Sequence, residues 1–367
     1  MRTVLSVVGT RPNLMKMAPV VAALGRRDRE FRQVLVHTGQ HYDVAMSAVF
    51  FDELGIPEPD HYLEVGSGTH AQQTARVMER LEPVLVEADP DVVLVPGDVN
   101  STMAAALVAA KLDIPVAHLE AGLRSFDRTM PEEINRVVTD AVAGLLFIHS
   151  PEARDNLLRE GHAEESIHYV GNTMIDTLVA MRDRIGAAAA RARNGLEPGS
   201  YVVVTLHRPP LVDGPLLRDA IGQLEALSAQ LPVVFPIHPR TRAALALQGI
   251  EVAAPGLKLI EPLGYVDFLG LVADAAAVLT DSGGIQEETT FLGVPCFTLR
   301  DNTERPVTVE HGTNVLLGLR PERIGELPDL IYAAGASAGS VPSLWDGAAA
   351  ERVADVLSSH AFMRRRS

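Results

Sequence analysis

One cysteine, Cys296, stands in a chain of 367 residues. No intramolecular disulfide can form, and its place in the apolar run GVPCFTL reads as a small buried hydrophobe. Aromatic residues make up only 5% of the chain, and no apolar run approaches the roughly 20 residues a membrane helix needs. Residues 1–8, MRTVLSVV, are too short for the apolar stretch of a secretion leader and run straight into GTRP. They read as a first strand and set a cytoplasmic expectation. Positive charge is in deficit: 32 Lys and Arg against 47 Asp and Glu leave a net charge of −15. That argues against a general nucleic-acid binder, yet a local nest of amides and arginines can still hold an anion. No HxxEH or CxxC spacing occurs, so a dedicated metal is not expected. There is no GxSxG elbow. The glycine turn after the first strand is not GxGxxG, so a nicotinamide is not expected there and no cofactor is assigned.

What is present is ordinary for a globular protein, 47% hydrophobic and 22% charged, and long enough for two cores. Continuous apolar runs at 3–8, 33–37, 92–96, 115–118 and 144–148 alternate with Ala- and Leu-rich segments of helical spacing, such as 15–25 and 102–111. The pattern resumes at 201–206, 232–236, 257–260, 277–280 and 294–299. Uninterrupted apolar strands separated by helices imply parallel sheets covered on both faces. The expected fold is α/β, with two doubly wound domains facing each other across a cleft. The first domain is expected over 1–168 and the second over 169–349, with HYV at 168–170 starting the second sheet. Residues 347–361 read as a closing helix.

In such sheets ligands sit beyond the carboxyl ends of the strands, and polar residues gather there. GTRPNLMKMAP follows the first strand and offers a glycine turn, Arg11 and Lys16, which suit a phosphate. DSGGIQEE follows strand 277–280. Ser282, Gly283 and Gly284 at a helix start let backbone amides approach an anion, and Glu288 one turn on can accept hydroxyls. RDNTERP adds Arg305. Asp98 in GDVNST, His207 in TLHRPP and His238 in FPIHPRTR occupy further strand ends. HLEAGLRSFDRTMPEEINR supplies Glu120 at a strand tip, then Glu132 and Glu133. Arg136 lies at the spacing that lets it pair with Glu132, which leaves Glu133 expected to point elsewhere. Two anion sites and several carboxylates suggest a diphosphate-bearing ligand, and Glu288 tilts that toward a nucleotide.

These segments, with HTGQHYD and GNTMIDT, run in order over residues 1 to about 310 and resemble the non-hydrolysing UDP-N-acetylglucosamine 2-epimerases. The resemblance implies a GT-B-like fold of two Rossmann-type domains, with the C-terminal helix, about 350–367, returning to the first. It implies interconversion of UDP-GlcNAc and UDP-ManNAc, with those nucleotide sugars and UDP as small-molecule partners, and a homodimer. Its acid/base groups fall on Asp98, Glu120, Glu132 and His207, supported by Arg136. Its UDP contacts fall on Arg11, Lys16, His238, Phe268, Ser282, Gly283, Gly284, Glu288 and Arg305, with Phe268 against the uracil. One departure concerns the histidine motif, where Pro210 and Leu211 stand in place of the family's polar residues. In many bacterial members this region and the GQHYD segment help hold a second, activating UDP-GlcNAc, so Gln40, His41 and Arg208 are second-site candidates. A GT-B glycosyltransferase, or a hydrolysing relative releasing ManNAc and UDP, are the alternatives.

Overall fold

The computed structural model describes residues 1–39, 51–334 and 339–362. The chain divides into two compact units, Met1–Val179 with Ser343–Ser367, and Ala180–Pro342.

The first unit is built on a seven-stranded parallel sheet. Its strands are β1 (Arg2–Val8), β2 (Phe31–His37), β3 (His61–Tyr62), β4 (Val92–Pro96), β5 (Val116–Leu119), β6 (Leu145–Ile148) and β7 (Ile167–Tyr169), in the order β3-β2-β1-β4-β5-β6-β7. The two faces show why the central runs are continuously apolar. Val4, Val8, Leu35, Leu94 and Phe147 point into one core, while Leu5, Val7, Val36, Val93 and Val95 point into the other. Burying such side chains contributes roughly 1.5–3 kcal/mol each. The closing helix, Ala349–Ser359, packs Val353, Ala354 and Leu357 into the first of these cores with helix Arg11–Gly25. Its first turn is held by Asp176, which accepts from the amides of Ala349 at 3.2 Å and Ala350 at 2.7 Å. The return of the C-terminus to the first domain is therefore encoded in both an apolar face and a cap.

The boundary between the units differs from the sequence expectation. Residues 167–169 pair with β6 and complete the first sheet, and helix Thr173–Ala180 follows them, in the first unit up to Val179. The first unit takes in the segment that was expected to open the second sheet.

The second unit repeats the architecture with six parallel strands: β8 (Val202–Thr205), β9 (Val233–Pro236), β10 (Leu257–Ile260), β11 (Ala277–Thr280), β12 (Cys296–Thr298) and β13 (Asn314–Leu316), ordered β10-β9-β8-β11-β12-β13. Both sheets reverse direction of winding once, between β1 and β4 in the first unit and between β8 and β11 in the second. Those switch points open the crevices where doubly wound sheets bind ligands. This is the pair of Rossmann-type domains of the GT-B class. Among the described residues no helix is long and apolar enough to cross a membrane.

Candidate active site

In the first unit the loops leaving β1, β4 and β5 are stitched together. Asn13, in the first turn of helix Arg11–Gly25, accepts from the amides of Gly9 (3.2 Å) and Thr10 (3.3 Å) and donates to the Pro96 carbonyl (3.0 Å). This ties the β1 exit to the β4 exit. Gly97 follows at φ +65°, and a Cβ there would stand 2.8 Å from Lys16 Nζ. The left-handed φ favours glycine there, and Lys16 lies against the loop. Lys16 is buried, and its ammonium pairs with Glu120. Glu120 is the first residue after β5 and adopts a left-handed φ of +67°, a conformation that costs of order 1–3 kcal/mol in a non-glycine residue. Strain of that size persists where the surroundings fix it, here the Lys16 pair and the amide bond from Ala121 to the Phe147 carbonyl at 3.1 Å. Lys16, expected among the diphosphate contacts, has its charge engaged by Glu120.

Asp98, next to Gly97 in the chain, is half-buried and ion-pairs with Arg136. It is not the cap of the following helix, whose N-cap is Val99. Asn135 donates to the Asp98 carbonyl at 2.9 Å. The arginine's other partner departs from expectation. Arg136 Nη1 lies 2.6 Å from Glu133 Oε2, and Glu133, 2% exposed, also accepts from Ser125 N, Ser125 Oγ and Phe126 N, each at 2.9 Å. Glu133 is thus the anchor of the loop, not the dispensable neighbour. Glu132 is half-buried and makes no ion pair or hydrogen bond among the described residues. The pairing follows from where the loop 125–126 folds back over helix Pro131–Val142. A small cavity beside Glu120 is lined by His149, Asn172 and Thr173. The sequence signalled these only through GNTMIDT and the polar end of β6.

In the second unit His207 leaves β8 and faces Asp281, which leaves β11. Its Nδ1 lies 3.2 Å from Asp281 Oδ1, and the amides of His207 and Arg208 donate to Asp281 Oδ2 at 2.8 and 2.7 Å. Burial lowers the pKa of His207; Asp281 opposes this, and Arg208 and Arg240 add to it. His238 caps helix Pro239–Leu247 through Nδ1, which accepts from Arg240 N at 3.1 Å, and its ring centroid is 5.3 Å from that of His207. Ser282 is the N-cap of helix Gly283–Leu292, so amides at that helix start point toward any anion placed there.

Gly283 has a steric reason to be glycine. A Cβ would come 2.5 Å from Arg305 Nη1 and 2.6 Å from Glu304 Oε1. Arg305 therefore reaches the expected helix start, but as a buried member of an ion network. Its Nε is 3.0 Å from Glu287 Oε2, its Nη1 is 2.5 Å from Glu304 Oε1, and Arg300 Nη2 is 2.7 Å from Glu304 Oε2. Glu288 is 3% exposed on the same helix, and Gly284 is half-buried in its first turn. Phe268 is half-buried in the first turn of helix Tyr265–Ala273. Arg11 opens helix Arg11–Gly25 of the first unit and is exposed. Of the second-site candidates, Gln40 and His41 lie outside the described residues. Arg208 Nη2 stands 3.9 Å from Glu304 Oε1. Pro210 and Leu211 belong to a one-turn helix, Pro209–Val212, whose Leu211 and Val212 are core residues of the second unit. Leu211 is thus a packing residue, whereas Pro210 is exposed.

A family model described as UDP-N-acetylglucosamine 2-epimerase matches residues 23–358. A UDP-N-acetylglucosamine 2-epimerase of Methanocaldococcus jannaschii is 44% identical over 87% of this chain and 89% of its own length. A UDP-2,3-diacetamido-2,3-dideoxy-D-glucuronate 2-epimerase of Pseudomonas aeruginosa is 40% identical over 88% of this chain and 90% of its own. Among solved structures, that of the M. jannaschii UDP-GlcNAc 2-epimerase in complex with UDP-GlcNAc and UDP aligns with a TM-score of 0.89 at 40% identity, covering 98% of this chain and all of that one.

Proposed function

The chain belongs to the UDP-N-acetylglucosamine 2-epimerase family, and on that premise we infer that it interconverts UDP-GlcNAc and UDP-ManNAc without net hydrolysis. The observation that carries the reading is the pair of carboxylates at neighbouring strand ends beside a switch point. Asp98 follows β4 with Arg136 on it, and Glu120 follows β5 with Lys16 on it.

The bond to be changed dictates the route. The C2 hydrogen of a sugar nucleotide has no adjacent carbonyl, so direct proton abstraction is very unfavourable. Breaking C1–O first lets UDP leave with the bonding pair as C2 gives its proton to a carboxylate. The product of this step is a 2-acetamidoglucal. Re-addition of UDP to C1, with a proton delivered to the opposite face of C2, gives the epimer, and atoms balance without a co-reactant. Two faces require two groups. Asp98 and one of Glu120 or Glu132 supply them, and Arg136 orients Asp98. Backbone amides at the Ser282 helix start would stabilise the departing diphosphate, with His207 and His238 at the same end of the second sheet. A homodimer carries out the reaction, as the family resemblance implies.

Incubation with UDP-GlcNAc followed by proton NMR tests the reading. UDP-ManNAc as product supports it; free ManNAc with UDP would mark a hydrolysing enzyme, and no turnover without an acceptor a transferase. The Pseudomonas relative gives specific reason to run UDP-2,3-diacetamido-2,3-dideoxyglucuronate in parallel, since the same C2 chemistry applies.

A further inference from the structure

The first unit holds a buried polar chain that the reaction so described leaves unused. His118, on β5, is fully buried. Its Nε2 lies 2.7 Å from the Gly97 carbonyl oxygen and its Nδ1 2.6 Å from Asp140 Oδ1. A carbonyl only accepts, so Nε2 carries a hydrogen. The other oxygen of Asp140 accepts from Gly122 N at 3.0 Å and pairs with Arg124 Nη2 at 2.7 Å. Burial alone would raise the Asp140 carboxyl; His118 and Arg124 outweigh it and hold the group below its ordinary value. Nδ1 of His118 faces this carboxyl group. Arg124 in turn forks onto Glu160, with contacts of 2.8 and 2.6 Å. Each member of the chain thus has a polar partner.

The chain ends on the residue before Asp98. Gly97 sits at φ +65° with Lys16 packed against it, and its own amide donates to the Leu119 carbonyl at 3.0 Å. The Gly97 carbonyl, the oxygen of the Gly97–Asp98 peptide, is the atom His118 meets.

We propose that His118 is a positioning residue for the reaction. By donating from Nε2 to the Gly97 carbonyl it fixes the peptide that carries Asp98, while Asp140 and Arg124 set the angle of its ring. The proposal rests on Asp98 being an acid/base group. It has a large expected effect, because a misplacement of about 1 Å at a reacting group can cost on the order of 100-fold in rate.

Two amide substitutions separate this role from a purely structural one. The amide nitrogen of glutamine falls near the place of Nε2, and that of asparagine near the place of Nδ1. His118→Gln keeps the donor to Gly97, whereas His118→Asn keeps only the contact to Asp140. The expected result is kcat within about tenfold of wild type for His118→Gln and a loss of roughly 100-fold for His118→Asn, with KM and UDP affinity within about threefold in both. Asparagine performing as well as glutamine overturns the proposal, because a structural pair with Asp140 would be enough. If either variant does not fold, the wild-type enzyme decides. Its ¹⁵N-histidine spectrum should contain one ring whose Nε2 hydrogen exchanges slowly and couples across a hydrogen bond to a glycine carbonyl carbon, and absence of such a ring overturns the proposal. Asp98→Asn is measured alongside. Normal turnover in that variant would sink the role of Asp98; lost turnover there with unimpaired His118→Asn would sink the positioning role alone.

Discussion

Arg136 closes its ion pair with Glu133, three residues back, at 2.6 Å, and with its other nitrogen it reaches Asp98. The helix thereby uses two adjacent glutamates for opposite purposes. Glu133 turns inward, takes three further donors from Ser125 and Phe126, and is lost to solvent. Glu132 remains half-buried. Stability and turnover should separate accordingly. Glu133→Ala leaves Arg136 with Asp98 but takes the acceptor from the amides of Ser125 and Phe126, and is expected to cost about 1–3 kcal/mol in denaturant unfolding. Glu132→Gln should unfold like wild type and lose activity by something like 10²–10⁴-fold if it handles the C2 proton. A stable Glu133→Ala enzyme would contradict the pairing.

Gly283→Ala puts a methyl group where Arg305 and Glu304 already stand, 2.5 and 2.6 Å from the new carbon. The network with Glu287 must shift, and the first turn of the Gly283–Leu292 helix with it. Overpacking of this kind costs typically about 1–3 kcal/mol. UDP affinity, read by calorimetry, should fall by roughly tenfold as the amides at the helix start lose their aim. Unchanged UDP binding would remove that helix start from the diphosphate site.

The pH dependence of stability carries a histidine signature. Burial sets the His207 pKa below its ordinary value, with Arg208 and Arg240 adding to the effect and Asp281 opposing it. The unfolded chain therefore binds this proton before the folded one does. The stabilising contribution is complete above about pH 6.5 and is lost as the pH falls from there through the lower folded value. Denaturant unfolding at a series of pH values should show His207→Gln losing less stability than wild type over that window. Parallel curves would mean the ring is not displaced from its ordinary titration.

Cys296 is fully buried on β12, and burial pushes its thiol up to about 11. At neutral pH the native protein should resist a thiol-specific reagent and react fully only when unfolded. Fast labelling of native enzyme would contradict the packing of that strand.

Much of this was legible in the sequence because both sheets are parallel and buried on two faces. Strands such as VVLVP and YVVVTL are continuous apolar runs with little else to become. The strands with no expected counterpart, β3 (His61–Tyr62) and β13 (Asn314–Leu316), are short edge strands. β7, Ile167–Tyr169, is an edge strand as well, half-buried throughout, and was expected to open the second sheet instead of closing the first. A tripeptide with one aliphatic residue has no period to read. That is also why the division between the units was placed too early.

At the site, glycine turns and strand ends marked nearly every candidate side chain, yet not its direction. Adjacent residues on a helix point about 100° apart, so Glu132 and Glu133 are equivalent on paper. The choice is made by Ser125 and Phe126, whose folding back no local pattern reveals. His118 looked like the last residue of an apolar strand. Its partners Gly97 and Asp140 lie 21 and 22 residues away in the chain, and only the sheet brings the three together. Arg305, in RDNTERP beyond strand 294–299, was expected to contact the diphosphate-bearing ligand. The two buried glutamates beside it, Glu287 and Glu304, account for its burial.

Turnover of UDP-GlcNAc in D₂O, followed by proton NMR, tests the elimination route most directly. Wild-type enzyme should place deuterium at C2 of both UDP-ManNAc and recovered UDP-GlcNAc. Asp98→Asn should show no exchange while binding UDP within about an order of magnitude of wild type. UDP-ManNAc formed with its C2 hydrogen retained, or undiminished exchange in Asp98→Asn, would contradict proton transfer at C2 by this carboxylate.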